Sequence, residues 1–370
     1  MHRAWKHVLI ITPVALFICL MGFILFYPVP KPPVGEIEYA RETISQAARD
    51  NAHTYSESLF SEAKRAYDSA MYYWKLENEK NRYSRNFGKV SLFASTAAKK
   101  AFEASHDSKT NTVSLNARLM EEINSLKETD TMLKDRFSKY PLSTERWNNI
   151  SKGEMLLAEG EIDWEKGKYL EAEKKINEAE KLLVPAYDYA NEDLKKYFRS
   201  FPQWRKWVDS TITASRDSQD YSIIVDKYAR KLIVYQNGEV KFSYTTELGK
   251  NWVGDKRIRG DKATPEGMYK VAKMFLHDST KYYKALLLDY PNEEDTAIFN
   301  AMIEKGALPR SAKIGGMIEI HGNGGKGSDW TAGCIALTDR EMDTLFKIAR
   351  IGMPVTIVGS MYDLKRVLKR

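Results

Sequence analysis

From about Glu36 to Trp207, apolar residues recur every three or four positions, as at Ala63, Ala66, Tyr67, Ala70 and Tyr73–Trp74, and Pro and Gly are scarce. That spacing predicts amphipathic helices. Within it, residues 156–183 predict two antiparallel helices joined around Gly167. The period then changes. The polar stretch STITASRDSQD, 210–220, predicts a linker. Beyond it, YSIIVDK and KLIVYQNGEVKFSYTTELG are β-branched and aromatic, and Asn237–Gly238 suits a two-residue hairpin turn because both positions tolerate positive φ. GMYKVAKMF, GMIEIHG and MPVTIVG are further strand candidates. Helices are expected around 281–289 and 294–305. Another should follow Thr338, where Thr338 and Glu341 form a capping box and Gly352 supplies the stop.

The N-terminus follows neither period. From Val8 to Tyr27 the chain runs 20 residues without a charge, enough to span the hydrocarbon core of a bilayer as a helix. Arg3 and Lys6 precede the run and favour a cytoplasmic N-terminus, and no small-x-small cleavage site follows it. The expected organisation is therefore a cytoplasmic tail (1–7), a transmembrane signal anchor (8–27) and a Pro-rich spacer (28–35). An all-α helical bundle (36–209), a linker (210–220), a mostly-β domain with a few short helices (221–360) and a C-terminal tail (361–370) complete it. A cleaved signal peptide is the alternative to the anchor. Either way the bulk of the chain lies outside the cytoplasm, with the membrane as its anchor. The helical region reads as a spacer or a docking surface for another envelope protein.

Composition changes this picture little. The chain is 43% hydrophobic and 29% charged, with a net charge of +7 spread along 370 residues. No Arg/Lys-rich block with interleaved aromatics occurs, which argues against nucleic-acid binding. His321, Cys334, Asp329 and His277 lack the paired spacing of zinc ligands, so no metal is called for.

Cysteine usage matters more. Only Cys19, in the apolar run, and Cys334 are present. In an oxidising compartment a thiol without an intrachain partner is a buried filler, an intermolecular link or a reactive group. His321 closes a candidate strand, and the 12 residues GNGGKGSDWTAG before Cys334 include five glycines. Such a loop can bring an imidazole beside a thiol. The imidazole could take the thiol proton or hold the thiolate as an ion pair. The small residues before Cys334 leave room for an acyl group, and the amides of Gly333 and Cys334 could face a developing oxyanion.

IHG followed by TAGCIAL resembles the L,D-transpeptidase catalytic domain of the YkuD type, in which a His-Gly ends a strand and Ser/Thr-His-Gly-Cys follows. KLIVYQNGEV, ATPEGMYKV and KALLLDYPN resemble its other segments in order, so the resemblance covers about 222–358. It implies a cofactor-free acyltransferase acting on peptidoglycan stem peptides in cell-wall organisation and cell shape, and makes the anchoring membrane the bacterial inner membrane. Cys334 would be the nucleophile and His321 the proton donor and acceptor. Gly322 would orient His321 through its carbonyl, and Gly333 would provide an oxyanion amide. Thr331, Trp330 and Tyr282 are expected substrate contacts, while Lys262, Thr264, Pro265 and Gly267 shape a turn. The thioester would pass to an amine in transpeptidation, or to water in an L,D-carboxypeptidase or hydrolase. A non-catalytic wall-binding scaffold is the reading of another class. Two positions differ from the family pattern. Ala332 stands where a second histidine is common, and Ala336 where many members have an arginine.

Overall fold

A computed structural model of the protein describes residues 12–19, 21–22 and 29–369. Half of the span expected over 8–27 therefore lies outside the described residues. Residues 12–19 and 21–22 are helical, and among the described residues no helix is long and apolar enough to cross a membrane.

Two compact units divide the chain. The first comprises Met1–Glu122 and Asp163–Glu171. It contains α1 (Val34–Arg49), α2 (Ala52–Tyr55), α3 (Glu57–Glu79) and the first part of a 50-residue helix, α4 (Gly88–Phe137). Its core is made mainly of alanines: Ala40, Ala70, Ala94 and Ala97 form one cluster, and Ala47, Ala63, Ala101 and Ala104 another. Alanine carries no side-chain entropy cost and lets helix backbones approach closely, so the three-to-four spacing yields tight packing with little apolar bulk. Asp50 ties the turn after α1 to α4. Its carboxylate accepts from Ser105 at 2.5 Å and pairs with Lys109 at 3.1 Å, and the Ser105 and Gln46 hydrogen bonds lower its pKa to about 2.

The second unit, Ile123–Ile162 with Ala172–Arg370, contains the end of α4, most of α5 (Thr144–Glu165) and α6 (Tyr169–Tyr197), α7 (Phe201–Ser218) and the whole β-rich region. Gly167, at φ +73°, turns the chain between α5 and α6. The stretch 210–218, expected as a linker, is instead the end of α7. One of its faces is buried: Thr211 meets Thr356 at 2.6 Å, and Trp204, Val208 and Ser215 are also buried. A Ser/Thr-rich segment reads as linker by composition, and only packing on the sheet makes it helix.

Eight strands form one sheet in the order β3-β2-β1-β8-β4-β5-β6-β7. They are β1 (Tyr221–Asp226), β2 (Lys231–Gln236), β3 (Glu239–Thr245), β4 (Gly267–Phe275), β5 (Ala285–Leu288), β6 (Glu319–His321), β7 (Ile335–Ala336) and β8 (Pro354–Val358). Asn237 and Gly238 turn β2 into β3 with φ of 56° and 76°. Glu247, just past β3, pairs with Ala336 of β7, so the two edges of the curled sheet meet.

Three helices complete the region: α8 (Glu293–Glu304), α9 (Asp339–Ile348) and α10 (Leu364–Leu368). The last lies in the expected tail. The Thr338/Glu341 capping box opens α9. The helix ends at Ile348, ahead of Gly352, which sits at φ +83° in the following turn. The helix expected at 281–289 is replaced by β5. Ala285, Leu286 and Leu288 are buried between β4 and β6, and a short apolar run carries no period that separates a helix from a central strand.

Candidate active site

β6 sets the first functional side chain. His321 ends that strand, is fully buried, and lies against Tyr282, whose ring stacks on the imidazole at 3.5 Å with an interplanar angle of 4°. Its Nδ1 is 2.6 Å from the Gly322 carbonyl oxygen. A carbonyl only accepts, so Nδ1 carries the proton and Nε2 keeps a free lone pair. Nε2 is buried and has no hydrogen-bond partner. Burial lowers the imidazole pKa to about 4, with the Gly322 hydrogen bond opposing the shift and Lys281 and Lys326 adding to it. The ring is therefore neutral at neutral pH and able to take a proton at Nε2.

Cys334 precedes β7 at the floor of a cleft of about 740 Å³. Its Sγ makes a long contact, 3.6 Å, to the Met317 carbonyl. Burial pushes the thiol pKa up; a backbone hydrogen bond from Glu319 opposes this, while the Glu319 charge adds to it. With the thiol shifted up and the imidazole down, the resting pair is neutral rather than the thiolate–imidazolium ion pair.

The segment before Cys334 is braced from within. Thr331 Oγ1 donates to the Cys334 carbonyl at 2.7 Å and accepts the Gly333 N–H at 3.2 Å. Thr331 is 4% exposed, so it holds the loop's shape rather than offering the expected substrate contact. The Gly333 amide is likewise engaged by Thr331, unlike the free oxyanion donor expected. The Cys334 N–H has no hydrogen-bond partner among the described residues. Gly333 is needed for shape: its φ is +133°, and a Cβ there would come within 2.6 Å of the Ala263 carbonyl. Trp330, the other expected contact, is anchored by donating Nε1 to Glu247 at 2.6 Å, and its ring sits edge-on to His321 at 5.9 Å. Tyr282 does line the cleft. Lys262, at φ +57°, and Thr264, whose hydroxyl accepts from Gly249 N–H at 3.0 Å, belong to the loop behind Gly333.

Comparison with known proteins bears on this region. Residues 220–357 match the family model described as YkuD: L,D-transpeptidase catalytic domain. These residues are an L,D-transpeptidase catalytic domain of the YkuD type. A curated relative, the putative L,D-transpeptidase YafK of Escherichia coli K12, is 30% identical over 95 residues, covering 26% of this chain and 31% of the relative. The chain thus matches about a third of that relative's length. Among solved structures, Bdellovibrio bacteriovorus Bd1075 aligns with 20% identity and a TM-score of 0.31 over 41% of this chain and 54% of that one. An L,D-transpeptidase from Mycobacterium smegmatis aligns with 12% identity and a TM-score of 0.25 over 38% of this chain and 58% of that one.

The YkuD-type domain differs from the family pattern at two alanines. Ala332 is exposed in the cleft wall, and Ala336 is buried in β7, hydrogen-bonded through its backbone to Glu247. Positive charge reaches the cleft from elsewhere, through Lys256, Arg259, Lys281 and Lys313. Lys256 is paired with Asp261 at 2.6 Å, whereas Arg259 and Lys313 form no ion pair among the described residues. These cations come from segments distant in sequence, and no local motif announces them. Glu247 and Glu319 were missed for different reasons. Glu247 acts through the fold alone, but Glu319 stands two before His321 on a strand, and that spacing placed it on the same face. Among the described residues no group of three His, Cys, Asp or Glu side chains is arranged to hold a metal.

Proposed function

We propose that the YkuD-type domain catalyses cysteine-dependent acyl transfer on peptidoglycan stem peptides outside the cytoplasm. The observation that carries this reading is the state of His321: Nδ1 is committed to Gly322, and Nε2 is buried, unprotonated and unpartnered, in the domain that presents Cys334 to an open cleft. A buried polar atom without a partner is costly, and at a site of chemistry it marks where a proton is to be received.

In the first half-reaction Cys334 Sγ attacks the carbonyl carbon of an L-D peptide bond while His321 Nε2 takes the thiol proton. The Cys334 N–H faces the developing oxyanion. The C–N bond breaks, and the departing amine takes the proton from Nε2, leaving a thioester and a neutral imidazole. In the second half-reaction an incoming nucleophile gives its proton to Nε2, the C–S bond breaks, and the thiolate recovers that proton. An amine acceptor yields a cross-link or an attached protein; water yields a shortened stem. Arg259 and Lys313 supply positive charge where carboxylates of a stem peptide enter.

Incubation with tetrapeptide-bearing muropeptides, read by mass spectrometry for wild type and Cys334→Ala, tests the reading. A cysteine-dependent dimer supports transpeptidation, and a shortened monomer without dimer supports hydrolysis. No turnover and no covalent adduct with a carbapenem would leave the non-catalytic scaffold as the reading.

A further inference from the structure

Glu319 is a buried acidic group beside Cys334 that the two half-reactions leave unused. It opens β6, and His321 closes that strand two residues later. Side chains two apart on a strand share a face, so the carboxyl lies on the same side of the sheet as the imidazole. Its neighbours along the chain frame the site: Ile318 lines the cleft, and Met317 contacts the thiol through its carbonyl. The Glu319 charge is felt by Cys334, Tyr282 and Lys281. Yet the residue is 6% exposed, and among the described residues its carboxyl has neither a hydrogen bond nor an ion pair. Lys281 is near enough to stabilise the charge but does not pair with it. Burial raises the Glu319 pKa, making it a stronger base than an ordinary carboxylate.

An unpaired buried carboxylate is satisfied best by a cation that also donates hydrogen bonds. A primary ammonium is such a group, and it cannot act as a nucleophile until it loses a proton. Building on the acyl-transfer reading, we infer that Glu319 is the binding and deprotonation site for the amine of the acceptor. The ammonium pairs with the carboxylate and gives it one proton. The neutral amine then attacks the thioester carbonyl carbon; the C–N bond forms, the amine's second proton passes to His321 Nε2, the C–S bond breaks, and the thiolate takes that proton. Glu319 releases its proton to solvent. Water, being neutral, needs only His321, so Glu319 selects amine over water.

The partition of one acyl-enzyme between the two products tests this. The thioester is formed with a tetrapeptide donor and then offered a stem tripeptide ending in lysine, or its side-chain-acetylated copy as control. In Glu319→Gln the ratio of amide to hydrolysis product is expected to fall roughly tenfold or more, the scale of a lost charged hydrogen bond. Thioester formation is read in parallel, and a variant that still forms thioester reports that the site is folded. Glu319→Asp should restore part of the ratio. A thioester that forms normally with an unchanged ratio overturns the role of Glu319 alone. Slower thioester formation with an unchanged ratio also overturns it and moves the carboxylate to the donor side. Failure of the wild type to form any thioester overturns both this role and the acyl-transfer reading.

Discussion

Two buried polar clusters in the second unit are built on opposite terms. Around Lys227 every group is satisfied. The fully buried ammonium donates to the Gly254 and Thr264 carbonyls at 2.6 and 2.9 Å and to Glu266 at 2.7 Å. Glu266 also accepts from Tyr197 at 2.6 Å and from Trp204 Nε1 at 2.9 Å. Around Cys334 the groups are left open: His321 Nε2 and the Glu319 carboxyl have no partner among the described residues, and the thiol meets only backbone, the Met317 carbonyl at 3.6 Å and the Glu319 N–H. A closed cluster fixes structure, here by holding α6 and α7 onto the loop that contains Thr264. An open one spends stability to keep atoms available for chemistry. Stability and activity should therefore separate cleanly between the two.

The largest expected effect is at the open cluster. Cys334→Ala should lower acyl transfer by about 10⁴-fold or more, as loss of a nucleophile does, while the midpoint of urea unfolding barely moves. A variant that kept its activity would break the comparison at once. His321→Gln should cost roughly 10²- to 10⁴-fold in thioester formation, the range for a general base, measured by mass shift over time. At the closed cluster the order reverses. Glu266→Ala strands the Lys227 ammonium and should destabilise by about 3–5 kcal/mol in chemical denaturation, with the protein that remains folded still forming thioester at near wild-type rate.

Acid sharpens the contrast. The folded pKa of His321 is lowered to about 4, below its ordinary 6.5. Below pH 6.5 the unfolded chain takes up a proton that the folded ring refuses. The contribution of this group is therefore fully present above 6.5 and is lost as pH falls towards 4, amounting to about 3 kcal/mol. His321→Gln should flatten that part of the stability–pH curve. Alkylation of Cys334 should titrate above an ordinary thiol, because burial raises its pKa; a lowered midpoint would reinstate the ion pair. The smallest effect is expected at the α9 cap, where Thr338→Ala should cost about 1 kcal/mol and leave turnover unchanged.

The pattern of the chain announced most of the strands, the hairpin at Asn237–Gly238 and the capping box of α9, because each depends on a short window. It failed at β5 and at 210–218. In both places a neighbouring element decided the conformation: β4 and β6 on either side of Ala285–Leu288, and the sheet under Thr211. The site divides in the same way. Cys334 and His321 stood out because a lone thiol and a strand-ending histidine are visible one residue at a time. For Thr331 and Trp330, expected as substrate contacts, whether their polar atoms were free could not be read. The first is committed to Cys334 and Gly333, and the second to Glu247 from 83 positions away in the chain.

By itself, then, the sequence determined which side chains were at hand for chemistry and, away from β5 and 210–218, which stretches would be helix or strand. Both follow from side-chain type and local period. Only the tertiary structure decided the protonation of the pair, the loss of Gly333 as a free donor, the basic mouth of the cleft, and the unpartnered Glu319. Each depends on which groups burial brings together and which partners it leaves out, and burial is set by contacts between residues far apart in the chain.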